Sequence, residues 1–294
     1  MTASPVSVAA AAPPDPHLYK IRDLIYQAAG IFQPDNRLCL LEDRCSRRLQ
    51  ELKVKTLREY LSQLNHPGTG HDEMVKLLNE ITIGETCFFR AQTQLNALKA
   101  IVWPRILAAR ASSMVRRLRI WSAGCSTGQE PYSLAMFTLE EGSALLKGWT
   151  FEILATDLNE RSLEHAQAGL YGNYSVRNVN SHYRQKYFEP AGDKLQVGPA
   201  ARKLVTFSRL NLLDAARMTL MKNMDVIFCA NVLIYFDLNS KRKVIEHFYN
   251  NLQPHGYFFL GHSESLYGAN DQFKLVHFPS ATGYVKSQPP SGGR

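Results

Sequence analysis

Gly124, Gly128 and Glu130, within WSAGCSTGQEPYSLAM at residues 121–136, have the types and spacing of a turn that holds a ligand. Two glycines four residues apart follow a short apolar run and lead into a helical pattern. Small residues between a strand and a helix N-terminus let a nucleotide-like ligand approach the backbone. The phosphate loop of nucleotide hydrolases is excluded, because Gln129 and Glu130 follow Gly128 where that loop needs Lys and then Ser or Thr. The dinucleotide fingerprint needs three glycines, and Glu130 would repel a pyrophosphate. A ligand bearing a cation or several hydroxyls and no phosphate fits better, and S-adenosylmethionine is one. An ordinary strand-to-helix turn has the same local pattern.

Three further places carry polar side chains at informative positions. The run FEILATD ends at Asp157, 29 residues beyond Gly128. In doubly wound folds an acid at this point accepts hydrogen bonds from both ribose hydroxyls, and a long helix through SLAMFTLEEGSALL accounts for a spacing above the usual ~20. Asp157 is also suited to cap the helix that follows, and the two roles are compatible. The run DVIFCANVLIYFD reaches the carboxyl edge of a sheet, where Asn231 and Tyr235 would face a ligand crevice. Base-directed amino-methyltransferases carry a Pro-Pro-aromatic tetrapeptide there, and NVLI has none, which argues against a nucleic-acid substrate. ITIGETCFFR, residues 81–90, gathers Thr82, Thr86, two phenylalanines and Arg90, as a buried junction with a surface arginine or as part of a site.

The elements that must position these residues fall into two regions. Residues 18 to about 93 read as helical throughout, with RLCLLEDRCSRRLQEL placing Leu38, Leu41, Cys45, Leu49 and Leu52 on one face. Arg44, Arg47, Arg48, Lys55 and Arg58 gather on or just after that helix, as a solvated face or as a docking surface for an acidic partner. From about residue 118, LRIWSA, FEILATD, LVTFSRLN, DVIFCANVLIYF and YFFLGH alternate with helical stretches, an α/β pattern with a mainly parallel sheet. A polar, aromatic-rich segment at about 171–205 reads as a hairpin insertion on that sheet.

Composition narrows the classes. With 294 residues and 45% hydrophobic content the chain can build one large domain or two ordinary ones. The five cysteines form no CxxC pair, have no histidine at metal spacing and are odd in number, so neither a disulfide framework nor a metal site is expected, and a reducing cytoplasm is. The net charge of +8 keeps nucleic acid in view, but there is no dense basic run. No apolar run approaches the ~20 residues of a membrane span, and residues 1–17 and 287–294 are expected to be disordered tails.

Taken together, TIGETCFFR, WSAGCSTGQEPYSLAM, ATDLNERSLEHA, NLLD, VIFCANVLIYFD and LGHSES resemble the chemotaxis receptor methyltransferases, the CheR family, over roughly residues 18–286. The resemblance implies a small all-α N-terminal domain, expected at 18–93. A class I, Rossmann-like α/β methyltransferase domain at 94–286, with a small antiparallel β-subdomain, would follow. It implies transfer of the methyl group of S-adenosyl-L-methionine to receptor glutamates, leaving S-adenosyl-L-homocysteine. Matched motif by motif, cofactor contacts fall on Thr86, Arg90, Glu130, Asp157, Asn211, Leu212 and Asn231, with Tyr235 near the transferred methyl. Arg90 and Tyr235 are the expected catalytic pair. Gly84 stands where the family usually has Asn, and Ala230 where it often has Arg, so these two would contact cofactor through the backbone or not at all.

The expected partners are the cytoplasmic methylation helices of chemoreceptors, docked through Arg44, Arg47, Arg48 and Arg58. In part of the family the subdomain captures a receptor C-terminal peptide with the help of a longer glycine-rich loop. Here EPAGDKLQVGPAARK is compact, with Pro190 and Pro199 limiting the edge, so independence of that pentapeptide is expected. A cytoplasmic monomer with no membrane insertion completes the expectation. Its rivals are a nucleic-acid methyltransferase and a non-catalytic adaptor, the latter disfavoured by Arg90, Asp157 and Tyr235.

Overall fold

A computed structural model describes residues 14–286, so the tail expected at 287–294, and most of that expected at 1–17, lie outside the described residues. The chain forms two units, one of residues up to 28 with 32–81, the other of residues 29–31 with 82 onward. The division at Ile81–Thr82 corrects the boundary expected at 93. Helix does not continue past Ile81, and ITIGETCFFR from Thr82 onward belongs to the second unit.

Among its described residues the first unit is helical throughout its regular structure: α1 (Pro16–Ala29), α2 (Leu38–Leu52), α3 (Leu57–Leu64) and α4 (Gly70–Ile81). Helix α1 already begins at Pro16, within the expected tail. Helix α2 stops where Lys53 turns left-handed at φ 57°, and α3 starts on a capping box in which Thr56 Oγ1 accepts from Glu59 N at 3.2 Å. The buried stripe of α2 is Leu38, Leu41, Cys45 and Arg48, with Leu49 and Leu52 only half-buried.

Arg48 therefore departs from expectation. Three residues after Cys45, helical phase carries it inward, and its Nε and Nη2 donate to Glu73 at 2.9 and 2.8 Å. Its Nη1 pairs with Glu51, and Tyr60 donates its hydroxyl to Glu73 at 2.9 Å. At 1% exposure Arg48 is part of the core and unavailable to a partner. Arg47 and Arg58 are exposed and Arg44 is half-buried.

Among its described residues the second unit has ten strands: β1 (Arg117–Ala123), β2 (Thr150–Asp157), β3 (Leu170–Tyr171), β4 (Phe188–Ala191), β5 (Lys194–Val197), β6 (Val205–Arg209), β7 (Met224–Cys229), β8 (Leu252–Leu260), β9 (Phe273–Phe278) and β10 (Ala281–Lys286). Its helices are α5 (Gln92–Ala97), α6 (Trp103–Ala109), α7 (Gln129–Glu141), α8 (Glu160–Ala168), α9 (Ser181–Tyr187), α10 (Pro199–Arg202), α11 (Ala215–Met218) and α12 (Leu238–Asn251). Seven strands form one sheet in the order β6-β2-β1-β7-β8-β10-β9, parallel from β6 to β8, with β10 and β9 antiparallel at the far edge. Strands β3, β5 and β4 form the small antiparallel sheet of the expected insertion.

Strands buried on both faces need apolar residues at both phases of the pleat. Along β7, Val226 and Phe228 pack with Trp103, Ile106 and Met136 of α6 and α7, while Ile227 and Cys229 pack with Val244, Ile245 and Phe248 of α12. The run DVIFCANVLIYF is thus a strand only as far as Cys229, because Asn231 turns the backbone left-handed at φ 61°. Strands β9 and β10, joined across Pro279 and Ser280, were not among the strands read from the sequence. Among the described residues no helix is long and apolar enough to cross a membrane.

Candidate active site

Strand order reverses between β1 and β7, and in open α/β sheets the crevice outside the carboxyl ends at such a switch point receives the ligand. After β1, Gly124 N and Cys125 N both donate to Thr156 O, at 2.8 and 2.9 Å, which closes the turn onto β2. Gly128 opens α7 at φ 92°, and a Cβ there would stand 2.7 Å from that of Ala166, so only glycine admits α8 this close.

The turn is anchored to Asp157. Ser126 N donates to its Oδ2 at 2.7 Å and Asn159 N to its Oδ1 at 2.8 Å. The capping role considered for Asp157 belongs to Asn159, whose Oδ1 accepts from Ser162 N at 3.0 Å. Burial raises the Asp157 carboxyl above its ordinary range, and the N–H groups of Asn159 and Ser126 oppose that shift. With Leu158 N a third, weaker contributor, the two oxygens still retain acceptor capacity beyond their backbone partners.

Glu130 lies in the first turn of α7, where Ser122 donates its hydroxyl to Oε1 at 2.7 Å. Burial pushes its carboxyl up to about 7, with Ser122 and the charge of Arg90 pulling it down and Glu264 pushing it further up. The segment from Thr82 to Arg90 lies along the same turn. Asn159 Nδ2 donates to Thr82 Oγ1 at 2.8 Å, and Phe89 N donates to Ser133 Oγ on α7 at 2.9 Å. Phe88 is fully buried edge-on to Tyr171 and Phe188, with ring centroids 4.9 and 5.2 Å away. The buried junction with a surface arginine is what the structure shows in ITIGETCFFR: buried aromatics fasten it, while Thr86 is half-buried and Arg90 exposed. Arg90 donates to Glu85 O at 3.3 Å.

The ends of the remaining strands complete the crevice. Leu210 N donates to Asp157 O at 3.0 Å, which brings the chain after β6 beside β2. Asn211 Oδ1 accepts from Leu213 N at 3.0 Å, and the Leu212 side chain is buried in the α12 face of the core. Past β7, Ala230 and Asn231 are half-buried and Tyr235 closes the short 3-10 turn Leu233–Tyr235. Glu264 holds this loop, accepting from Asn231 N at 2.6 Å, Gly261 N at 2.9 Å and Ile234 N at 3.2 Å. Sequence reasoning noticed LGHSES but assigned Glu264 no role, and it passed over Ser122 and Ser126. An acid three residues after the glycine that ends a strand run was the available signal for Glu264; the serines had none.

These residues fit the cofactor expected from sequence. Carboxylates from Glu130, Asp157 and Glu264 border the crevice, and Ser126 Oγ is buried without a hydrogen-bond partner. Gly84 faces that hydroxyl so closely that a Cβ would stand 2.9 Å from it, leaving Asp157, Ser126 and Glu130 to receive the hydroxyls and cationic groups of a phosphate-free ligand. Cys125 and Cys229 are buried, and burial raises both thiols far above their ordinary range, so they remain protonated. Among the described residues no group of three or more His, Cys, Asp or Glu is arranged to hold a metal ion.

Residues 84–282 match the family model described as CheR methyltransferase, SAM binding domain, and residues 16–82 match CheR methyltransferase, all-alpha domain. The chemotaxis protein methyltransferase 2 of Vibrio cholerae is 36% identical over 273 residues, spanning 92% of this chain and 93% of its own. The chemotaxis protein methyltransferase 1 of Pseudomonas aeruginosa is 35% identical over 261 residues, spanning 87% of this chain and 92% of its own. Among solved structures, the magnesium protoporphyrin IX methyltransferase of Synechocystis PCC 6803 with bound SAM aligns over 94% of this chain and 97% of that one, at 14% identity and a TM-score of 0.34. With an all-helical unit, a crevice suited to S-adenosylmethionine and relatives matched along nearly their whole length, the chain belongs to the CheR methyltransferase family, whose cofactor is S-adenosylmethionine.

Proposed function

We propose that the protein transfers the methyl group of S-adenosylmethionine to glutamate side chains on the cytoplasmic helices of chemoreceptors, acting in the cytoplasm as a monomer. The observation that carries this reading is the exposed guanidinium of Arg90, on the segment fastened along the glycine turn, at a crevice otherwise bordered by carboxylates. An anionic substrate is repelled by Glu130 and Glu264, each contact costing on the order of 1–4 kcal/mol near a protein surface, and an exposed guanidinium at the rim offsets that repulsion. The relatives' names, chemotaxis protein methyltransferases, set the same context.

A glutamate with a pKa of about 4.3 is already ionised at pH 7, so no general base is required. Bound cofactor would supply an activated methyl on a sulfonium. Asp157 would hold the ribose hydroxyls, and Glu130, Thr86, Asn211, Leu212 and Asn231 would line the rest of its site, with Gly84 and Ala230 offering main chain alone. Arg90 would hold the incoming carboxylate by paired hydrogen bonds, and Tyr235 would align it, a positioning effect worth several kcal/mol.

Arg44, Arg47 and Arg58 offer complementary charge to glutamate-rich receptor helices. No receptor tail peptide is needed: the free edge of β4 is four residues long and carries Pro190, which has no N–H to donate to an added strand. The test is methyl transfer from radiolabelled cofactor to receptor fragments, with and without a C-terminal pentapeptide. Label released as methanol by mild alkali from both fragments is expected. Alkali-stable label, or transfer to nucleic acid alone, would overturn the reading, and transfer only to tailed fragments would overturn the tether-free part.

A further inference from the structure

We infer that Glu264 is a positioning residue for the site: its carboxylate sets the conformation of the loop that carries Asn231 and Tyr235. Three main-chain N–H groups from two loops converge on it, Asn231 and Gly261 on Oε2 at 2.6 and 2.9 Å and Ile234 on Oε1 at 3.2 Å. Asn231 and Ile234 follow β7 and Gly261 follows β8, so one side chain spans two adjacent strand ends at the carboxyl edge.

The conformation it holds is an uncommon one, which asparagine adopts more readily than most residues with a side chain. Asn231 sits left-handed at φ 61°, a region a residue with a Cβ visits at some expense, and the 3-10 turn ending at Tyr235 begins two residues later. A charged acceptor of three N–H groups makes bonds roughly twice as strong as a neutral one, enough to hold that geometry. The approach is close: a Cβ on Gly261 would stand 2.7 Å from Glu264 Oε2 and 2.8 Å from Asn231 N. Glu264 itself turns back at the base of its loop, its N–H donating to Gly261 O at 3.0 Å. Glutamine cannot replace it, because an amide NH₂ would face N–H donors on one side or the other. Aspartate, one methylene shorter, reaches one loop and loses the other.

The inference rests on the reading of Asn231 and Tyr235 as site residues, and binding of cofactor tests it without regard to what is methylated. Titrating purified full-length Glu264→Gln with S-adenosylhomocysteine by calorimetry at 25 °C should give at least tenfold weaker affinity, with a cooperative thermal transition retained. With receptor fragments, kcat should fall along with the rise in KM for cofactor, and the amide signals of Asn231 and Ile234 should shift. A carboxylate with only a structural part would lower the melting temperature and leave affinity at 25 °C unchanged, and that result overturns the inference. Should Glu264→Gln fail to fold, Gly261→Ala probes the same contact from the other loop and should weaken cofactor to a similar degree; wild-type affinity there overturns it equally. Loss of affinity in both variants, alongside no transfer by the wild-type protein to any receptor fragment, would sink the proposed acceptor and leave the positioning role standing.

Discussion

The Ser122 hydroxyl, buried in β1, donates to Glu130 Oε1 at 2.7 Å, joining the strand before the glycine turn to the first turn of the helix after it. A helix N-terminus ordinarily favours an anion. Here burial outweighs it and lifts the Glu130 carboxyl to about 7, so the group that borders the crevice titrates in the physiological range.

That shift makes Glu130 a liability to the cofactor-free fold. Its pKa is about 7 folded, against an ordinary 4.5. The folded state therefore holds the proton more tightly, and the associated stability is present below pH 4.5 and lost as pH rises through 7. Glu130→Gln should be more stable than wild type at pH 8 by about 2 kcal/mol, below the ~3 the shift alone implies because the side chain is partly open to solvent. At pH 4 the gain should vanish. Urea unfolding at the two pH values measures this, and a difference independent of pH would refute it.

Cofactor affinity should run the other way with pH. If the ionised Glu130 is the binding form, about a tenth of the protein is competent at pH 6 and about nine-tenths at pH 8, so affinity should rise roughly tenfold across that interval. Calorimetric titration with S-adenosylmethionine should show the rise in wild type and a flat, weaker profile in Glu130→Gln.

Asp157→Ala removes the anchor of the glycine turn together with the expected ribose contact. Cofactor binding should weaken by about 1.5–3 kcal/mol. Stability should fall by about 1–2 kcal/mol as Ser126 N and Asn159 N lose their acceptor. Unchanged calorimetric affinity would remove Asp157 from the ligand's contacts.

Arg90 is exposed and its one described side-chain bond is long, so Arg90→Ala should leave the melting temperature within a degree or two. Turnover of receptor fragments should drop roughly a hundredfold. Wild-type turnover in a folded variant would end its assignment.

Adjacent arginines on α2 should behave oppositely. Arg48→Ala leaves Glu73 buried without its bidentate partner and should destabilise the protein by about 3–5 kcal/mol. Arg47→Glu, combined with Arg44→Glu, sets a like charge beside Glu80, which Arg47 faces at 3.6 Å, and should cost about 1–2 kcal/mol, less than Arg48→Ala, while raising KM for receptor fragments in a salt-dependent way. An effect of the double reversal on cofactor affinity alone would contradict docking through α2.

The sequence by itself determined the fold class, the parallel core of the sheet and the place of the crevice. Those properties are local: apolar residues at both pleat phases mark a strand covered on two sides, and two glycines between such a strand and a helix mark the turn. The positions of Asp157, Glu130 and Asn231 at the carboxyl edge were legible because each stands at a fixed offset from the end of a run. The tertiary structure alone decided which polar groups share a partner. Arg48 follows Cys45 by three residues, so its stripe was readable, but its burial depends on Glu73, 25 positions away on another helix. Asn159 took the cap because α8 starts directly after it, at Glu160, leaving Asp157 two residues back to accept from Ser126 N and Asn159 N. Glu264 reaches Asn231 across 33 residues because β7 and β8 lie side by side in the sheet. A carboxylate that closes such a span leaves no periodic trace in the chain, since its partners are main-chain N–H groups that every residue except proline carries.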